Sequence, residues 1–264
     1  MGHIKVQIYE IQEPGEAEAM MALGVHRIGS VLVSPDNWKV PGIRDTIRCV
    51  KSFKGQSSLI PLFSETELIF KTIDWYEPDI IHFCESLSSE DGVSGICADL
   101  LRMQEQVKKR FPDIVIQRSI PIGETGKADR VPTLELARIF QSASDQFLTD
   151  TVVFSPSGGD TEQPVSGFVG ITGKTCDWDM ARKLVVQSSL PVILAGGLSP
   201  DNVYDAVIKT RPYGVDSCTQ TNAVDGDGRA IRFCKDPEKV RRFVEETLRA
   251  ERTLSDRPYE TEDG

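Results

Sequence analysis

The sequence has no uninterrupted apolar run of about 18 residues, so no segment is expected to cross a membrane as a helix. Its opening residues, MGHIKVQIYEI, contain no extended apolar stretch of the kind a secretory signal needs. None of the six cysteines (Cys49, Cys84, Cys97, Cys176, Cys218 and Cys234) stands in a C-x-x-C pair. A zinc or iron–sulfur site is therefore not expected, and no metal is assigned. Scattered through apolar stretches of a large chain, these cysteines read as free, mostly buried thiols of a reducing compartment. Positive charge is in deficit, with 30 Lys and Arg against 40 Asp and Glu, a net charge of −10. Nucleic acids and anionic membranes recruit basic surfaces, so neither is expected as a partner. A small anionic ligand stays open, because a few local backbone amides outweigh a distant net charge. The cytoplasm is the expected location.

What is present is a strand–helix alternation. Strand-like segments cover residues 4–9, 26–33, 57–63, 79–84, 114–120, 146–150, 191–195 and 213–217. Helical patterns follow them at 16–23, 43–53, 68–76, 94–111, 133–142, 179–185, 202–209 and 236–249. Ser64 reads as a helix N-cap, with Glu67 completing a capping box. A Gly/Ser/Pro-rich loop from about Ser155 to Gly170 has the composition of a lid. Alternation with short links favours a parallel sheet with crossover helices. Eight units in 264 residues fit a single α/β domain, a closed (β/α)8 TIM barrel, over residues 1–250, with a polar, acidic tail at 251–264. The competing architecture is an open doubly wound sheet. Against it, no G-x-G-x-x-G follows the first strand.

In such a barrel the chemistry sits at the C-terminal ends of the strands. That places Gln7, Tyr9 and Glu10 after strand one, and His82, Cys84 and Glu85 after strand four. Arg118 comes from strand five, Asp150 ends strand six, Gly196 and Gly197 follow strand seven, and residues 216–219 end strand eight. Two glycines after a buried strand let backbone amides approach an anion, although a tight turn alone uses the same pair. Cys218 and Thr219 would face the same ligand, since the loops after strands seven and eight are the usual phosphate site of this fold. Asp150, an acid against apolar walls, suits a proton donor, with a turn or helix-capping role as the alternative.

Three stretches carry a family resemblance: PVILAGGLSPDNVYDAVIKTRPYGVDS at 191–217, GITGKTCDW at 170–178 and FLTDT at 147–151, with KDPEKVRRFVEE at 235–246 in support. They resemble the phosphoribosylanthranilate isomerases. The likeness covers about the last 120 residues strongly and the first half weakly. It implies a cofactor-free Amadori rearrangement of a phosphoribosyl amine in tryptophan biosynthesis. A carboxylic acid protonates the furanose oxygen, the ring opens to an imine, and a thiolate removes the C2 proton. Asp150 matches the acid, and Gly197 with Cys218 and Thr219 matches the phosphate cradle. The chain also departs from the pattern. The family's general-base cysteine falls at Gln7, its strand-eight DVSSG reads DSCTQ, its strand-four QLHG reads HFCE, and no arginine is evident in SPDNWK after strand two. An amide has no basic lone pair at neutral pH. Glu10, the strand-end thiols Cys84 and Cys218, and His82 are the substitute candidates for catalysis, with Gly196, Arg118 and Gln7 added to the ligand-binding set. The partner implied is a small phosphorylated metabolite, and the chain is expected as a monomer or homodimer. A paralogue with a different reaction on a phosphorylated ligand, and a non-catalytic phosphate-binding barrel, remain as alternatives.

Overall fold

The computed structural model describes residues 3–89, 92–153, 167–170 and 172–256. Eight strands form a closed barrel: β1 (Lys5–Ile8), β2 (Arg27–Leu32), β3 (Gln56–Pro61), β4 (Ile80–Phe83), β5 (Val115–Gly123), β6 (Gln146–Val152), β7 (Val192–Leu194) and β8 (Gly214–Ser217). Neighbours pair in parallel all the way round, and β1 closes onto β8 through Gln7↔Asp216 and Ile8↔Ser217. Helices α1 (Pro14–Ala22), α2 (Pro41–Ser52), α3 (Thr66–Tyr76), α4 (Cys97–Arg110), α5 (Thr133–Phe140), α6 (Trp178–Gln187), α7 (Val203–Thr210) and α8 (Pro237–Asp256) return the chain between strands and flank the last one. This is the (β/α)8 barrel, not the open sheet.

Strand alternation divides the core into an inner and an outer part. Inward positions of successive strands give Tyr9, Val31, Ile60, Leu62, Cys84, Leu148, Ile193 and Ala195, a cluster inside the barrel. Outward positions such as Ile8, Ile28, Phe83, Ile116, Phe147 and Val215 pack against the helices. Gly29 is inward on β2 because a Cβ there would overlap the Tyr9 ring.

Helix starts follow their local chemistry. Pro14 and Pro41 open α1 and α2, where the missing N–H has no intrahelical partner to lose. Asp177 caps α6, its Oδ1 accepting from the amides of Asp179 and Met180 at 3.0 Å each. The capping box expected at Ser64 and Glu67 does not form. Glu65 is the N-cap of α3 and makes no side-chain cap bond, so Ser64 stands one residue too early. Strand β5 also runs three residues further than expected, to Gly123. Helix α8 continues past residue 250 and buries Leu254.

Two short hairpins decorate the barrel, Ser88–Ser89 with Gly92–Val93, and Asn222–Val224 with Ala230–Lys235. All six cysteines are free, with Cys84, Cys97 and Cys176 buried. Among the described residues, no helix is long and apolar enough to cross a membrane. The loop expected as a lid falls, at positions 155–166, outside the described residues.

Candidate functional site

The strand ends open into a cleft lined by inward side chains of the barrel, among them Tyr9, Cys84, Asp150 and Asp216, and roofed by residues 167–170. About 810 Å³ of space lies in and before it, the solvent at its mouth included. The roof is stitched to the end of β4: Val169 N–H donates to the Cys84 carbonyl and Ser86 N–H to the Gly167 carbonyl, both at 2.8 Å. This lays Phe168 over the mouth, paired through a bridge to Glu85. Farther along, the amide of Gln220 donates to the Gly173 carbonyl at 2.9 Å, tying the segment to the end of β8.

Asp150 stands on β6 at the wall of this cleft. Its Oδ1 accepts from the Thr151 amide at 2.9 Å, and its other oxygen lies under the backbone of Gly170. A Cβ at Gly170, whose φ is +114°, would come within 2.5 Å of that oxygen, so only glycine lets the roof lie across the carboxyl. Burial raises the Asp150 carboxyl to about 7, partly opposed by the Thr151 amide. The group therefore holds a proton for much of the time near neutrality.

The turn after β7 is built from backbone. Gly196 and Gly197 both have positive φ, +93° and +61°. A Cβ on Gly197 would lie 2.5 Å from the Lys174 carbonyl carbon, and one on Gly196 would collide with the Thr151 hydroxyl. That hydroxyl donates to the Lys174 carbonyl at 2.7 Å, so the 172–175 segment and the glycine turn lock together. Asn202 fastens the far side, accepting from Ser199 N–H at 2.8 Å and donating to the Gly197 carbonyl at 3.0 Å. Opposite lie Cys218 and Thr219, and the Thr219 hydroxyl is buried with no partner among the described residues. No lysine or arginine lines the cleft among the described residues. An anion there would be met by backbone and hydroxyl groups.

Glu10 lines the cleft from the end of β1, with φ +63°. Its Oε1 accepts from Arg232 Nε at 2.7 Å and Nη2 at 2.5 Å, and Asn222 Nδ2 approaches its Oε2 at 3.4 Å. Lys235 donates to the Cys218 carbonyl at 2.9 Å and also to Asn222. His82 reaches the floor with both ring nitrogens engaged, Nδ1 with the Tyr9 hydroxyl at 2.7 Å and Nε2 with Ser119 at 2.8 Å. Burial and the nearby Arg118 charge lower it to about 3, which leaves it neutral. Burial, then the charges of Glu85 and Asp150, push the Cys84 thiol well up, against thiolate formation. Burial does the same at Cys218.

Two expected positions lie elsewhere. Gln7 sits fully buried below the cleft, donating from Nε2 to Asp216 Oδ1 at 3.1 Å. Arg118 is not in the anion site. It points outward into the helix layer, paired with Glu85 at 2.5 Å and Gln104 at 2.6 Å, between the rings of Phe83 and Phe140. On β5 the inward neighbours are Gln117 and Ser119, so alternation turns Arg118 away from the mouth. Arg232, Lys235 and Asn222 were not expected at all. They come from the Asn222–Lys235 hairpin, whose Asp-Gly-Asp-Gly turn between short strand-like runs was the available signal.

The family model described as N-(5'phosphoribosyl)anthranilate (PRA) isomerase matches residues 115–246, half of the chain. The chain belongs to the phosphoribosylanthranilate isomerase family. A curated N-(5'-phosphoribosyl)anthranilate isomerase of Methanocella arvoryzae is 34% identical over 142 residues, 54% of this chain and 54% of that protein, so the match spans about half the relative's length. The isomerase of Methanothrix thermoacetophila is 28% identical over 243 residues, 91% of this chain and 96% of that one. Among solved structures, the phosphoribosyl anthranilate isomerase of Thermotoga maritima superposes with a TM-score of 0.64 at 19% identity, covering 93% of this chain and 98% of that one. That likeness concerns the fold. Asp150, the glycine turn, and Gly170, Thr172 and Gly173 line one cleft.

Proposed function

We propose that this protein isomerises N-(5'-phosphoribosyl)anthranilate, or a closely related aminated sugar phosphate, to the open-chain 2-ketose, a step of tryptophan biosynthesis. The observation that carries the reading is Asp150, a carboxyl raised to about 7 in the same cleft as the glycine turn. A proton donor to the furanose oxygen must be protonated near neutral pH yet able to give the proton up, and a carboxyl in that range does both.

The phosphate rests on Gly196, Gly197 and Thr219, and the Thr219 hydroxyl, which has no partner among the described residues, donates to it. Val31, Ile60, Leu62, Leu148 and Phe168 supply an apolar wall against which the aromatic ring packs. Asp150 then protonates the ring oxygen, the C1–O bond breaks, and the nitrogen lone pair forms the imine. Gln7 cannot take the C2 proton. The acceptor belongs to another group of the same cleft, and the engaged nitrogens of His82 and the Arg232 pairing of Glu10 count against those two. The reading needs no cofactor and no metal. We place the protein in the cytoplasm, as a monomer or homodimer. The test is turnover of phosphoribosylanthranilate, followed as loss of its fluorescence. Wild type is expected to turn over, and Asp150→Asn to lose about 10²–10⁴-fold in kcat. Equal rates for the two proteins would remove Asp150 from the mechanism.

A further inference from the structure

Resting on the isomerase reading above, we propose that Asp216 takes the C2 proton, and that Gln7 is the positioning residue that holds its carboxylate. Asp216 is the inward residue of β8 at the level of Gln7, its register partner across the barrel's closing seam. It lines the cleft, whereas Gln7 lies beneath it. Gln7 fills the place where the family carries its thiol base, and its Nε2–H is aimed at Asp216 Oδ1 at 3.1 Å.

The other half of the Gln7 amide strengthens the argument. Its Oε1 is buried with no partner among the described residues. An unpaired buried carbonyl costs about 1–3 kcal/mol, so packing alone does not explain a glutamine here. The side chain is oriented by what its NH₂ donates to. That acceptor, the Asp216 carboxylate, stands on the neighbouring strand at the same level of the barrel.

The electrostatics fit a base in this place. Asp216 is faced by Gln7 and Tyr9 from β1, Asp150 from β6, Cys218 beyond its own strand and Lys235 from the hairpin. Burial raises its carboxyl to about 7, the Gln7 amide opposes this, Asp150 adds to it and Lys235 opposes it again. Asp150 and Asp216 line the same cleft, both raised to about 7, first by burial. Near neutrality carboxyls raised to this range supply both a protonated and an ionised group, one to act as acid and the other as base.

The step balances with these two groups. Asp150 gives its proton to the ring oxygen as the C1–O bond breaks, leaving a protonated imine. The C2–H pair then becomes the C1=C2 bond, the C1=N π pair returns to nitrogen, and the proton goes to an oxygen of Asp216. The enol so formed tautomerises to the ketone. Asp216 has gained one proton and Asp150 has lost one, and exchange with water resets the pair.

The experiment is the pH dependence of kcat and kcat/KM on phosphoribosylanthranilate for wild type, Asp216→Asn, Gln7→Leu and Asp150→Asn, from about pH 5 to pH 9. Asp216→Asn is expected to lose about 10²–10⁴-fold in kcat with KM within a few-fold, and to lose the acidic limb of the profile. Gln7→Leu removes a donor to the ionised form, so its acidic limb moves to higher pH, which a purely structural loss does not produce. If Asp216→Asn stays within tenfold of wild type with the limb in place while Asp150→Asn is inactive, the assignment of Asp216 is overturned and the isomerase reading stands. If wild type shows no turnover, both fall. Should Asp216→Asn fail to fold, by circular dichroism, the Gln7→Leu profile decides, and an unmoved limb overturns the proposal.

Discussion

The Asp150 carboxyl ties activity to stability in a way that one substitution separates. Its displacement from 3.8 to about 7 comes first from burial. A carboxyl raised in the folded state contributes stability that is fully present below its unfolded value and lost as the pH rises through the folded one. The displacement corresponds to about 4 kcal/mol of bias against the buried carboxylate. Of this, about 2.7 kcal/mol accrues between about pH 5 and about pH 7. Asp150 is only half-buried and water in the open cleft screens it, so about 1–2 kcal/mol is the expected effect. Asp150→Asn keeps the shape and removes the titration. Urea unfolding at about pH 5 and about pH 8.5 should therefore show the variant gaining that amount on wild type at the higher pH, while its turnover is lost. A variant destabilised equally at both pH values would refute the claim that burial raises this carboxyl.

Three further outcomes follow from particular contacts. Gly197→Ala places a methyl 2.5 Å from the Lys174 carbonyl carbon at a φ of +61°. It should cost about 2–4 kcal/mol in thermal or urea unfolding and weaken inhibition by inorganic phosphate more than tenfold. Thr219→Val deletes a buried hydroxyl that has no partner among the described residues, so unfolding should be unchanged or slightly more difficult while KM rises about tenfold. Arg118→Met leaves Glu85 buried without its cation, and about 3–5 kcal/mol of stability should be lost in urea titrations with KM unaltered in the folded fraction.

Much of the barrel was legible because its signals are local. Short β-branched runs alternating with amphipathic helices mark the eight units, and Asp150, Gly196, Gly197, Cys218 and Thr219 fall at strand ends once the units are counted. The misreadings have physical causes. Strand β5 was expected to stop at Ile120, before Pro121, which put Arg118 near a strand end. The strand instead continues to Gly123, and alternation sends Arg118 outward to Glu85. The Ser64–Glu67 spacing has the right letters for a capping box, but the helix starts at Thr66, out of register with it. The hairpin that brings Arg232 and Lys235 to the mouth has a weak sequence signal because its strands are short and largely exposed. The partnership of Gln7 with Asp216 joins residues 209 positions apart, and only barrel closure brings them together.

The central claim, an acid/base isomerisation of an aminated sugar phosphate, is tested most directly by the identity of the product. Phosphoribosylanthranilate incubated with the protein in D₂O should give, by NMR, the open-chain 2-ketose, with the C2 hydrogen gone and deuterium entering at C1. An unchanged furanose spectrum, or a product that retains hydrogen at C2, would contradict the account.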